Sequence, residues 1–150
     1  MTTPFAFQLE DVRRLHKMGG RALVSWSMGL GKTFAALLYA QRHPQSRPIV
    51  VVCPAGLKFQ WRKEAKKHIG MHADVLEGLN PNKSLPPRNP KLVVVNYDIL
   101  SSSKHGSGWL DWLKALNPQL IVIDEAHFLG DLRSKRTKAV RKLCQGVPEV

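Results

Sequence analysis

Acidic side chains are scarce in this sequence: 11 Asp and Glu stand against 23 Lys and Arg, for a formal net charge of +12. An excess of that size favours a polyanionic partner, because cations that neutralise phosphates release condensed counterions. Nucleic acid is the first candidate, and a generically basic surface is the alternative. Cysteine is also scarce. Cys53 and Cys144 lie far apart without metal-ligand spacing, which argues against a disulfide scaffold and for two reduced thiols. His16, His43, His68 and His72 show no spacing that suggests a metal centre. Apolar runs are short, none approaching the ~20 residues of a membrane span, so no membrane partner is expected. The start, MTTPFAFQLEDVRR, has no basic segment followed by an apolar one, so an intracellular protein is expected. With no internal repeat, low-complexity tail or evident linker, the 150 residues are expected to form one domain over 1–150.

What is present alternates. FAFQLEDVRRLHKM carries apolar residues at helical spacing and predicts a helix beginning near Gln8, stopped by Gly19 and Gly20. RALVSWS, residues 21–27, predicts a buried strand, and KTFAALLYAQRH a helix ended by His43 and Pro44. PIVVVC is an unbroken apolar run, as expected for a central parallel strand covered on both faces. LKFQWRKEAKKHI predicts a third helix with Leu57, Trp61, Ala65 and Ile69 along one side. After a possible short strand in ADVLEG comes NPNKSLPPRNP, whose four prolines demand a loop. KLVVVNYDIL predicts a strand running into a turn, WLDWLKAL a short helix, LIVID a strand, and RSKRTKAVRKLCQ a basic final helix. Repeated strand-helix alternation predicts an α/β domain with a largely parallel sheet and helices on both faces.

One turn in that alternation carries chemistry. In SWSMGLGKT, residues 25–33, Gly29 and Gly31 allow a tight turn whose N–H groups face phosphate oxygens without Cβ interference. The start of the following helix favours an anion. Lys32 can reach the β- and γ-phosphates, and the Thr33 hydroxyl can ligate Mg²⁺. About ninety residues on, LIVIDEAH ends an apolar strand in adjacent carboxylates. Asp124 can hold the water shell of Mg²⁺ opposite Thr33, and Glu125 can polarise the attacking water. The two halves together predict a site for ATP and Mg²⁺.

With these motifs in order, the sequence resembles the first RecA-like lobe of superfamily 2 DNA-dependent ATPases of the Swi/Snf type, closest to the annealing-helicase branch. FQLEDVRRL is similar to the family segment whose Gln reads adenine, here Gln8. SMGLGKT resembles motif I, so Met28, Gly29, Leu30, Gly31, Lys32 and Thr33 are implied to hold the nucleotide. VVCPAGLKFQWRKEAKKH resembles motif Ia, with Pro54 to Lys58 beside the DNA backbone and Trp61 and Glu64 holding the helix. VVVNYDIL resembles motif Ib, and IVIDEAHFL the Walker B segment. There the resemblance implies Mg²⁺ coordination by Asp124, water activation by Glu125, and coupling of the ATP and DNA sites by His127. Trp26 and Ser27 stand where the family usually has an acidic pair, and a large indole at 26 is expected to fill core space under the loop. The family continues past GVPEV into a further strand and a second RecA-like lobe that supplies transition-state arginines. The resemblance therefore implies a C-terminally incomplete lobe with an unpaired sheet edge and little ATP turnover of its own.

Contacts to DNA, duplex or branched, are expected to be sequence-independent and made to the backbone. The resemblance points to Gly56, Lys58, Asn96 and Tyr97. Lys63, Lys66 and Lys67 read as a solvated helix face, with phosphate contact as the sharper alternative. Lys104 and His105 sit in SSSKHGSG, which reads as a loop. RSKRTKAVRK is equally readable as a nucleic-acid patch or as a surface helix packing through Leu132, Val140 and Leu143. Two other functions share these features: a lobe of a single-strand or RNA helicase, and a non-catalytic basic binding module that keeps an ATP loop.

Overall fold

A computed structural model describes residues 3–27, 29–79, 81, 89–102 and 108–150. Met28, Lys104, His105 and most of the proline-rich stretch lie outside the described residues. Four strands form one parallel sheet: β1 (Ile49–Cys53), β2 (Asp74–Val75), β3 (Leu92–Asn96) and β4 (Leu120–Ile123), in the order β2-β3-β1-β4. The register sets Val51 beside Val94 on one side and beside Val122 on the other.

The unbroken apolar runs have a direct cause, since alternate residues of each strand enter two different cores. Ile49, Val51, Cys53, Leu92, Val94 and Leu120 face one core. It is closed by α1 (Ala6–Lys17), α2 (Lys32–Arg42) and α3 (Lys58–Ile69) through Val12, Leu37, Leu38, Trp61 and Ala65. Val50, Val52, Val93, Val95 and Ile121 face the other. There α4 (Tyr97–Ser101), α5 (Trp109–Ala115) and α6 (Lys135–Cys144) close the layer with Leu100, Trp109, Leu113, Val140 and Leu143. Helix α6 starts at an N-cap, Ser134, whose hydroxyl accepts from Thr137 N. Its apolar side is buried, while Lys135, Lys138, Arg141 and Lys142 face water. Leu132 does not join the packing expected of it and is 67% exposed.

Residues 21–27 correct the expectation of a strand. They alternate in exposure, yet they carry no regular ladder, and Leu23 is 81% exposed. A strand needs a neighbour for its N–H and C=O groups, and this segment has one only at its start. Val150 N donates to Gly20 O and Ala22 N to Val150 O, while Glu149 bridges β4 at Leu120. Past that point a groove of about 380 Å³ runs between Ala22–Val24 and the outer edge of β4. Val122 and Ile123 there are only half-buried, which fits the expected unpaired edge.

Cys53 ends β1 with no exposed surface. Burial foremost, and the Asp124 carboxylate second, push its thiol up to about 12, with Lys58 opposing. Its contribution to stability is complete below the ordinary thiol range near ~8.5 and is lost as pH rises toward the folded value. In the native chain Cys53 is expected to resist iodoacetamide at about pH 8 and to react once urea unfolds the protein. Native labelling at the unfolded rate, read by peptide mass, would contradict this placement.

Candidate functional site

Strands β1, β3 and β4 end at the same edge of the sheet, and the predicted chemistry collects beyond those ends, where parallel α/β sheets bind ligands. Lys32 and Thr33 open α2, while Asp124 and Glu125 follow β4. Both pairs line a pocket of about 750 Å³ together with Gln8, Leu30 and Gln60.

The N-terminus of α2 is open to an anion. Gly31 is its N-cap in a left-handed conformation, no side chain caps it, and no acidic residue occupies its first turn. Its free N–H groups and helix dipole suit phosphate oxygens. Gly29 and Gly31 both hold positive φ, +82° and +78°, as the tight turn requires. Lys32 Nζ donates to Trp26 O at 2.9 Å, so the loop's own carbonyl holds the ammonium. The Trp26 indole is half-buried against the α1–α3 core and meets Phe7 edge-on at 5.4 Å, which is the filling role expected of it. Met28 lies outside the described residues.

Gln8 is 3% exposed and both polar atoms of its amide are bonded. Its Oε1 accepts from Phe5 N at 3.0 Å and its Nε2 donates to Leu30 O at 3.1 Å. In this structure Gln8 ties the start of α1 to the phosphate loop.

The carboxylate half is equally defined. Asp124 Oδ2 accepts from Trp61 Nε1 at 2.8 Å, and Asp124 O accepts from the Tyr97 hydroxyl at 2.6 Å. Burial first, and then Asp124, push the Tyr97 phenol up, so it stays protonated and remains a donor. Glu125 is a non-glycine residue in the left-handed region, φ +54° and ψ +50°. Such strain is worth roughly 1–3 kcal/mol and clusters at functional sites. Its Oε2 lies 3.1 Å from His127 Nδ1, with both side chains reached by water.

Thr33 and Asp124 offer a hydroxyl and a carboxylate, the hard oxygen donors Mg²⁺ takes. Among the described residues no cluster of three His, Cys, Asp or Glu exists that would hold a metal without help.

The residues expected to meet nucleic acid divide. Gly56 is exposed in the 3₁₀ turn Ala55–Leu57. Lys58 is not available: it is 8% exposed and donates to Leu76 O at 2.8 Å. Asn96 and Tyr97 are 4% and 2% exposed, and the Tyr97 hydroxyl is committed to Asp124. In this structure the side chains of these three are buried. Arg62, Lys63, Lys66 and Lys67 of α3, the helix that follows that turn, are exposed.

The profile of the SNF2-related domain matches residues 11–146. The chain belongs to that family. Among SNF2-type relatives, it is 27% identical to a Caenorhabditis elegans homolog of SWI/SNF-related matrix-associated actin-dependent regulator of chromatin subfamily A-like protein 1, covering 93% of this chain and 20% of that protein. It is 27% identical to mouse DNA annealing helicase and endonuclease ZRANB3, over 93% of this chain and 13% of the relative. The annealing-helicase resemblance is thus met. The Sulfolobus solfataricus SWI2/SNF2 ATPase core in complex with dsDNA superposes with a TM-score of 0.76 at 23% identity, over 94% of this chain and 30% of that one. The SNF2 fold expected from the motifs is therefore the observed one. No helix among the described residues is long and apolar enough to cross a membrane.

Proposed function

We propose that this chain is the Mg-ATP-holding part of an ATP-dependent translocase or helicase that remodels or rewinds duplex DNA. The observation that carries the reading is the meeting of an uncapped helix N-terminus, Lys32 and Thr33 with the Asp124–Glu125 pair at one end of a parallel sheet. Triphosphate would lie along Gly29–Thr33, with Lys32 leaving Trp26 O for the phosphate oxygens. Thr33 and Asp124 would hold Mg²⁺, which would supply positive charge beside the phosphate oxygens. Glu125 would orient the attacking water and draw its proton, with its carboxylate steadied by His127. Membership in the SNF2-related family and fold likeness to a core solved with dsDNA support a DNA-stimulated ATPase. Mg-ATP titrated calorimetrically into the chain is expected to bind saturably. A folded chain that takes up none would overturn the reading.

The second RecA-like lobe of the motor would supply its arginines and complete the DNA track. The chain alone is therefore proposed to turn over ATP far below the roughly 10 per second of a median enzyme. DNA would meet the exposed turn at Gly56 and the cations of α3, through backbone contacts. With about four phosphates neutralised, affinity for a fluorescent duplex is expected to fall roughly 100-fold between about 50 and 200 mM salt. Salt-independent anisotropy, or fast ATP turnover when the duplex is added, would contradict this half of the proposal.

A further inference from the structure

Asp124 is held by two buried donors from elements other than its own. Trp61 Nε1 takes carboxylate oxygen Oδ2 at 2.8 Å, and the Tyr97 hydroxyl takes the main-chain oxygen at 2.6 Å. A third bond, Asp124 N to Val52 O at 2.8 Å, anchors the residue to the end of β1. Trp61 and Tyr97 are 3% and 2% exposed, so neither ring is free to turn. Trp61 sits on α3, one helical turn after the exposed bend at Gly56. Tyr97 opens α4 directly after β3, and its hydroxyl crosses the end of β1 to reach the chain after β4.

Burial alone asks only that a tryptophan N–H find some acceptor, and a main-chain carbonyl satisfies that. Here the acceptor is the carboxylate proposed to meet the metal. Indole is a donor and never an acceptor, so the bond has one polarity, and it orients the carboxylate without cancelling its charge as Lys or Arg would. Asp124 lines the pocket, and with Oδ2 engaged Oδ1 is the carboxylate oxygen left for a ligand there. We propose that Trp61 and Tyr97 are positioning residues for Mg²⁺. The indole N–H fixes the Asp124 carboxylate so that Oδ1 meets the metal's water shell, and the Tyr97 hydroxyl fixes the backbone that carries it. This rests on the Mg-ATP reading of the same pocket. It also joins the metal ligand physically to the two segments that follow β1 and β3, because displacement of α3 or of the start of α4 pulls on Asp124.

The test is Trp61→Phe, which keeps most of the apolar volume and removes the N–H. Calorimetry of the 150-residue chain compares ATP in EDTA with ATP in excess Mg²⁺. Expected is an unchanged metal-free affinity with the Mg²⁺ enhancement reduced roughly 10-fold, as for loss of an outer partner of a metal ligand. Tyr97→Phe is expected to lower the same ratio by less. A Trp61→Phe chain that keeps the full enhancement, or that loses metal-free and Mg²⁺-bound affinity equally, overturns the positioning role while leaving the nucleotide site standing. Absence of ATP binding by the parent chain, or binding that survives Lys32→Ala, overturns the nucleotide reading and this inference with it. If circular dichroism shows Trp61→Phe unfolded, Tyr97→Phe decides by the same ratio.

Discussion

Lys32→Ala is expected to weaken Mg-ATP binding by roughly two to three orders of magnitude. The ammonium would make charge-assisted hydrogen bonds to oxygens of two phosphates, each worth about 1.5–3 kcal/mol. Two such bonds, at the lower end because water reaches the pocket, amount to about 3–4 kcal/mol, and each 1.4 kcal/mol is about tenfold. The free chain should barely register the change. In it Lys32 donates only to Trp26 O, a carbonyl on a loop that water can reach. Nucleotide affinity and folding stability therefore separate: calorimetry should show the loss, while the thermal midpoint stays close to that of the parent. Unchanged affinity would remove the phosphate-loop assignment, since no other Lys or Arg lines the pocket beside Gly29 and Gly31 among the described residues.

The layered architecture was legible because PIVVVC, KLVVVN and LIVID are apolar on both strand faces, and only a sheet sandwiched between helices buries both. The phosphate loop was legible because its requirements are local, namely glycines for the turn and Lys-Thr at a helix start. Residues 21–27 misled because strand identity belongs partly to the neighbour. Ala22, Val24 and Trp26 are the less exposed residues of the segment, as alternation requires, but past the bonds between Gly20, Ala22 and Val150 the segment has no ladder partner among the described residues.

Side-chain direction was the other thing the sequence withheld. Lys58 looks like a phosphate-binding cation in a one-dimensional reading, yet its stem lies along the start of α3 and its ammonium reaches Leu76 O, eighteen residues on. Asn96 and Tyr97 sit at the right motif but point into the protein. Nor does the sequence show that Gln8 Oε1 accepts from Phe5 N and its Nε2 donates to Leu30 O. The Trp61–Asp124 bond spans 63 residues, and no spacing rule reaches that far. The signal that existed was coincidence of motifs: each partner sat in a segment with its own reason to lie at the strand ends.

Gly31→Ala should be the most damaging change of a single methyl group in the site, destabilising the chain by roughly 2–4 kcal/mol. Two costs combine. At φ +78° an alanine Cβ crowds its own backbone, at about 1–2 kcal/mol. The same Cβ would stand 2.7 Å from Gln8 Nε2, well inside contact distance. Gln8 cannot swing aside freely, because it is buried and holds Phe5 N and Leu30 O, bonds worth about 1 kcal/mol each. Gly29 supplies the internal comparison. Its φ is +82°, but a Cβ there meets nothing within 4 Å. Gly29→Ala should therefore show the backbone strain alone, and the difference between the two variants in urea unfolding isolates the collision with Gln8. Adding Gln8→Ala to Gly31→Ala should remove part of that difference, whereas Gln8→Ala beside Gly29→Ala should simply add. Equal destabilisation by Gly29→Ala and Gly31→Ala would mean that the amide yields without cost. The bond from Gln8 to Leu30 would then not be what holds the phosphate loop against α1.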